Sequence, residues 1–141
     1  MKLAQKNRQG QPFRLVVSGE AGSWQLALER IVGPQWLETL PVRRDEELIE
    51  VLETGEADAA VIDEEVDWGL DILAMLRMIR RLNDRIPVVV VTGRTDRRLL
   101  EAALRLAAFS VVTKPLELEE LLRQLQRLMV RLDWMLRGGP W

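Results

Sequence analysis

The chain has 141 residues, 20 Lys+Arg against 22 Asp+Glu for a net charge of −2, and 48% apolar with 30% charged residues. Those figures predict one soluble domain of ordinary size that buries its own core. Cys, His and Tyr are all absent. Disulfides, thiolate and imidazole metal sites, cysteine nucleophiles and Ser-His-Asp relays are thereby excluded. Any chemistry must rest on carboxylates, hydroxyls, Lys and Arg.

Residues 1–12 are polar and basic (Lys2, Lys6, Arg8) and lack the apolar stretch of a secretion signal. They are expected to form a flexible basic tail. No segment approaches the ~20 consecutive apolar residues of a membrane span, so the expected location is cytoplasmic. From Phe13 onward, short β-branched runs alternate with longer helix-period stretches. That alternation predicts a parallel sheet with helices on both faces.

The first strand is expected at Phe13–Val17. A helix follows over about Ser23–Val32, with Ser23 as N-cap, Trp24, Leu28 and Ile31 on one face, and Gly33-Pro34 as the stop. Trp36–Leu40 reads as a short edge strand. The second helix opens at Asp45 with Asp45, Glu46 and Glu47 in its first turn, as the helix dipole favours, and ends at Gly55. Asp58–Ile62 is the third strand, closing on Asp63, before a helix over about Gly69–Leu82. Ile86–Val91 is a continuous apolar run, the mark of a strand buried on both faces. Thr95 is the expected cap of a fourth helix reaching about Ala108, and Ser110–Thr113 is the fifth strand. The last helix begins after Pro115 and runs to about Arg137, where Gly138-Gly139-Pro140 stops it. Residues 138–141 form a tail.

In an open α/β sheet, ligands bind beyond the carboxyl ends of the strands. The strands end on Ser18-Gly19-Glu20, Asp63, Thr92-Gly93 and Thr113-Lys114-Pro115, and Lys114 is the only Lys after Lys6. A carboxylate, a hydroxyl and an ammonium converging on one cleft suit phosphoryl chemistry, which needs a nucleophile, a donor and a balancing cation.

With Asp63 closing strand three, Val-Val-Thr-Gly at 90–93 and Thr-Lys-Pro at 113–115, nearly all of residues 13–132 resembles the receiver domain of two-component response regulators, and the domain with its long last helix is expected to span 13–137. The resemblance implies a flavodoxin-like (βα)5 fold of strand order 2-1-3-4-5 with an extended C-terminal helix. It implies Asp63 as phospho-acceptor, Thr92 as the switch hydroxyl, Lys114 as its charge partner, and Pro115 as the proline that often follows a cis bond. A histidine kinase or phosphotransfer protein would be the partner, and the chain would not be an enzyme beyond self-phosphorylation on Asp63 from a phosphodonor.

The sequence also departs from that family. The acidic pair that ends strand one is replaced by Ser18 and Gly19, the loop after Asp63 is two residues shorter, and Val111 stands where strand five carries an aromatic switch residue. Asp63, Glu20 and Glu65 remain as candidate Mg²⁺ ligands. Losing two ionic contacts of about 1.5–3 kcal/mol each weakens the metal roughly a hundredfold to ten-thousandfold. The reading is therefore an atypical receiver with weak Mg²⁺ binding. A phosphorylation-independent docking and dimerisation module is the first alternative. A flavodoxin-like mononucleotide or phosphate site built on the turn Ser18–Ser23 and Trp68 is the second.

Charge and helix patterning point to partners. Residues 45–71 hold 12 acidic and no basic residues, whereas Arg94, Arg97, Arg98 and Arg105 crowd the fourth helix. An acidic partner, or the acidic face of another copy, would suit that helix; nucleic acid would not, given the net negative charge. Leu118, Leu122, Leu125, Met129, Leu132 and Leu136 follow heptad spacing. About 22 residues span about 33 Å, longer than such a domain covers. Met129–Leu136 is thus expected to project and pair two copies, with the face made by helix four, strand five and helix five as a second dimer surface.

Overall fold

A computed structural model of the chain describes residues 12–18, 22–64, 71–93, 96–115 and 117–136, with side chains except at 22–24 and 131–136. The elements run β1 (Phe13–Ser18), α1 (Gly22–Val32), β2 (Leu37–Val42), α2 (Asp45–Thr54), β3 (Ala59–Asp63), α3 (Ile72–Leu82), β4 (Val88–Thr92), α4 (Arg97–Arg105), β5 (Ser110–Thr113) and α5 (Leu118–Leu136). The five strands are parallel in the order β2-β1-β3-β4-β5. This is the flavodoxin-like (βα)5 arrangement expected from the alternating pattern.

Strand side chains alternate between two faces, and each face builds its own core. Phe13, Leu15, Val17, Ala59, Val61, Val89, Val91 and Val112 pack against Leu28 of α1 and Leu121, Leu125, Leu128 and Met129 of α5. Val16, Ala60, Ile62, Val88 and Val90 pack against α2, α3 and α4 through residues such as Leu48, Met75, Ile79 and Leu99. Every residue of β4 is buried, which explains why its sequence is an uninterrupted apolar run. β2 lies at the sheet edge, where Pro41 opposite Val17 is tolerated.

Local chemistry sets the helix ends. Asp71 caps α3, its side chain accepting from the Ala74 N–H at 2.7 Å, and Asp96 caps α4 by accepting from the Arg98 N–H at 2.9 Å. Gly55 ends α2 at φ 72°, the left-handed conformation that glycine adopts without a Cβ penalty, with its N–H on the Leu52 carbonyl.

Four expectations need correction. Ser23 lies inside α1, which starts at Gly22, rather than capping it. Ile31 is 58% exposed because the buried face of α1 is centred on Leu28. Asp96, one residue past Thr95, is the cap of α4, and that helix ends at Arg105; Leu106, Ala107 and Ala108 turn back toward β5, with Ala107 at φ 62°. Met129 does not project: at 2% exposure it sits in the core beside Leu121, Leu125 and Leu128. Each such buried side chain contributes about 1.5–3 kcal/mol of apolar burial. The heptad row is thus used within the domain as far as Met129. The side chains of Leu132, Met135 and Leu136 lie outside the described residues, as do residues 1–11 and 137–141, where the tails expected at 1–12 and 138–141 fall.

Candidate functional site

The sheet register brings the strand ends together. Asp63 pairs with Val91 across β3 and β4, and Thr92 pairs with Thr113 across β4 and β5. Each ladder runs one residue further: the Glu64 N–H donates to the Val91 carbonyl at 3.0 Å, and the Lys114 N–H to the Thr92 carbonyl at 2.7 Å. Glu64 and Lys114 therefore start from either side of the end of β4. The Lys114 side chain passes over that end to place Nζ 3.0 Å from Asp63 Oδ2, with a quarter of its side chain and a third of the Asp63 side chain exposed. The peptide bond from Lys114 to Pro115 is cis.

Ser18, at the end of β1, is buried and takes a structural part. Its Oγ accepts the Asp63 N–H at 2.7 Å, so a hydroxyl holds the backbone of the very residue that carries the carboxylate. Thr92 is 1% exposed. Its hydroxyl donates to Glu64 Oε1, and the Gly93 N–H donates to the same oxygen at 2.9 Å. Two carboxylates from consecutive residues thus have different partners: Asp63 faces the Lys114 ammonium, and Glu64 faces a hydroxyl and an amide.

Thr92 also lines a groove of about 320 Å³ with Asp96, Arg97, Leu99, Leu100, Val111 and Thr113. This groove opens the strand-end site toward α4 and β5. Leu100 and Leu104 on α4 are 41% and 51% exposed, so an apolar and basic surface adjoins it.

The sequence reading gives Glu64 no role, and it takes Ser18 as a missing acid or as part of an anion-binding turn, not as the hydroxyl that accepts the Asp63 N–H. The signal for Glu64 was available: a residue directly after a strand-end Asp, in a strand paired with β4, must emerge beside the end of β4. For Mg²⁺, the described residues contain no cluster of three or more acidic side chains able to hold a metal. Asp63 is present, but Glu64 is turned to Thr92 and Gly93. Glu20 and Glu65, like Trp68, lie outside the described residues.

The sequence model of the response regulator receiver domain matches residues 23–126. The chain belongs to the response regulator receiver domain family. It is 37% identical over 68 residues to the TorCAD operon transcriptional regulatory protein TorR of Escherichia coli O157:H7, a match covering 47% of this chain and 30% of that protein. The corresponding protein of strain K12 is 37% identical over 67 residues, covering 46% and 29%. The chain thus spans less than a third of the length of these curated relatives.

Among solved structures, a CheY-like response regulator receiver domain protein from Methanospirillum hungatei JF-1 superposes with a TM-score of 0.73 at 15% identity, covering 87% of this chain and 98% of that one. A response regulator protein from Burkholderia pseudomallei, solved with a phosphorylated aspartic acid, calcium ion and citrate, superposes with a TM-score of 0.66 at 15% identity, covering 86% and 71%. At such identities these two speak for the receiver fold alone. The mononucleotide alternative gives way to membership of the receiver family. No helix among the described residues is long and apolar enough to cross a membrane.

Proposed function

We propose that this receiver domain accepts a phosphoryl group on Asp63 from a histidine kinase or phosphotransfer protein in the cytoplasm, and transmits the change through α4 and β5. The observation that carries this reading is the Asp63–Lys114 pair at 3.0 Å, at the strand ends where an α/β sheet binds its ligands.

A carboxylate oxygen of Asp63 attacks phosphorus with a lone pair. The P–N bond of the phosphohistidine breaks, its electron pair stays on the imidazole nitrogen, and that nitrogen takes a proton from water. The Lys114 ammonium, already beside the attacking group, offsets charge on the transferred oxygens without reorganisation. Magnesium is a weak accessory in this reading: Asp63 is its ligand candidate among the described residues, with Glu20 and Glu65 as the two beyond them.

The groove shared by Thr92 and α4 links acceptor and output. A displaced Thr92 hydroxyl changes the lining of that groove, and the exposed Leu100 and Leu104 lie on the helix that would respond. The same surface is the proposed seat of a second copy or an acidic partner, because Arg97, Arg98 and Arg105 flank it.

Treating the protein with a small-molecule phosphodonor and Mg²⁺ tests the reading. Intact mass should rise by one phosphoryl group, and Asp63→Asn should remove the gain. Wild-type protein that stays unmodified would leave the phosphorylation-independent docking module as the better account.

A further inference from the structure

A carboxylate oxygen that accepts both a buried hydroxyl and a backbone N–H occupies a small oxyanion seat. Glu64 Oε1 does this at the end of β4, taking the Thr92 hydroxyl and the Gly93 amide together. The seat adjoins Asp63 in the chain and lies on the strand next to it in the sheet. Any oxyanion attached to Asp63 that sought the Thr92 hydroxyl would meet Glu64 already there.

We infer that Glu64 is a positioning residue of this receiver: its carboxylate is an internal ligand that holds Thr92 and Gly93 in an anion-bound arrangement without covalent modification. An incoming phosphoryl group must displace it. The inference deepens the phospho-acceptor reading of Asp63, because it names the group that competes for the switch hydroxyl.

Thr92 is almost fully buried, so its hydroxyl depends on protein partners. Hydrogen bonds to an ionised carboxylate are about twice as strong as neutral ones, which makes the Glu64 contacts costly to exchange for water. A phosphoryl group on Asp63 would add negative charge beside the Glu64 carboxylate, and like charges at close range disfavour one another. Glu64 therefore fixes Thr92 in the unmodified protein and opposes the modified state.

Amide hydrogen exchange at Gly93 and the side-chain rotamer of Thr92, both read by NMR, test the seat directly. In wild type, Gly93 should be protected and Thr92 should hold one rotamer. In Glu64→Ala, Gly93 exchange should rise about tenfold or more, the size of one charge-assisted hydrogen bond, and Thr92 should average between rotamers. Glu64→Gln retains the accepting oxygen and should partly restore both signals, with β4 amides such as Val90 unchanged throughout. Gly93 exchange in Glu64→Ala equal to wild type would overturn the inference.

A second arm measures phosphodonor labelling. Glu64→Ala should label about tenfold faster than wild type; equal rates would overturn the competition. If neither protein labels, the phospho-acceptor reading has failed, and the exchange result alone decides whether the seat exists.

Discussion

Lys114 Nζ stands 3.0 Å from the Asp63 carboxylate although β4 separates the strands that carry them. The contact spans a whole strand because both residues lie where their strands stop, at the last hydrogen bonds of the sheet. A pair at this position is only partly screened from water, which sets what its removal does.

Lys114→Ala should alter folding stability by no more than about 1 kcal/mol, since partly exposed ion pairs contribute little. Phosphodonor labelling of Asp63 should fall about a hundredfold, the loss typical when one preorganised charge-stabilising group is removed. Urea denaturation and labelling rate, measured on the same preparation, separate the two effects. A stability loss of several kcal/mol with normal labelling would make Lys114 structural.

Arg80 is a staple far from that site. Its guanidinium donates to the carbonyls of Leu106, Ile86 and Ala107 at 2.8, 2.7 and 2.9 Å, tying the end of α3 to the end of α4 and the start of β4. Burial pushes its pKa below the ordinary arginine value, opposed by the charge of Asp84. Arg80→Met leaves those carbonyls without their donor and should cost about 2–4 kcal/mol, at hydrogen bonds to a charged group of about 1.5–3 kcal/mol each less the recovery by water. Denaturant midpoints at constant slope are the measure. A loss under about 0.5 kcal/mol would mean that the staple is redundant.

Most of the fold was legible in the sequence because strands buried on both faces read as short continuous apolar runs, whereas the covering helices carry apolar stripes of period 3.6. The apolar run at Ile86–Val91, the acidic first turn at Asp45 and the stop at Gly55 each have one local cause, and the elements stand there. Where two causes compete, the reading slipped. Thr95 and Asp96 are adjacent capping residues, and local chemistry does not choose between them. Met129 fits a heptad as well as it fits a core stripe, and only the position of the sheet decides. At the site, the acid and the ammonium were legible as strand ends. For Glu64, the strand order gives its place beside the end of β4, but not its partners, because a side chain that crosses to a neighbouring strand leaves no periodic trace.

Ala107 adopts φ 62°, a conformation that costs a residue with a Cβ about 1–2 kcal/mol. Ala107→Gly should relieve that strain while adding unfolded-state entropy, for a net gain of about 0.5–1 kcal/mol. Thermal unfolding should show a rise of a few degrees. A lower midpoint would show that the turn between α4 and β5 tolerates alanine at no cost.

Neighbouring positions on α5 should respond very differently to truncation. Leu128→Ala opens a cavity in the core under α5 and should cost about 2–5 kcal/mol. Val130, 66% exposed, should tolerate alanine within about 0.5 kcal/mol. If instead Val130→Ala weakened self-association in sedimentation while leaving the fold intact, α5 would be carrying a partner on its outer face.

Asp63 is the group proposed to take the phosphoryl. Residue-level peptide mapping of phosphodonor-treated protein tests this most directly, because Glu64 is the adjacent carboxylate and an intact mass does not distinguish the two. The label is predicted on Asp63, with none on Glu64 and none anywhere in Asp63→Asn. A label on Glu64, or one that survives in Asp63→Asn, would contradict it.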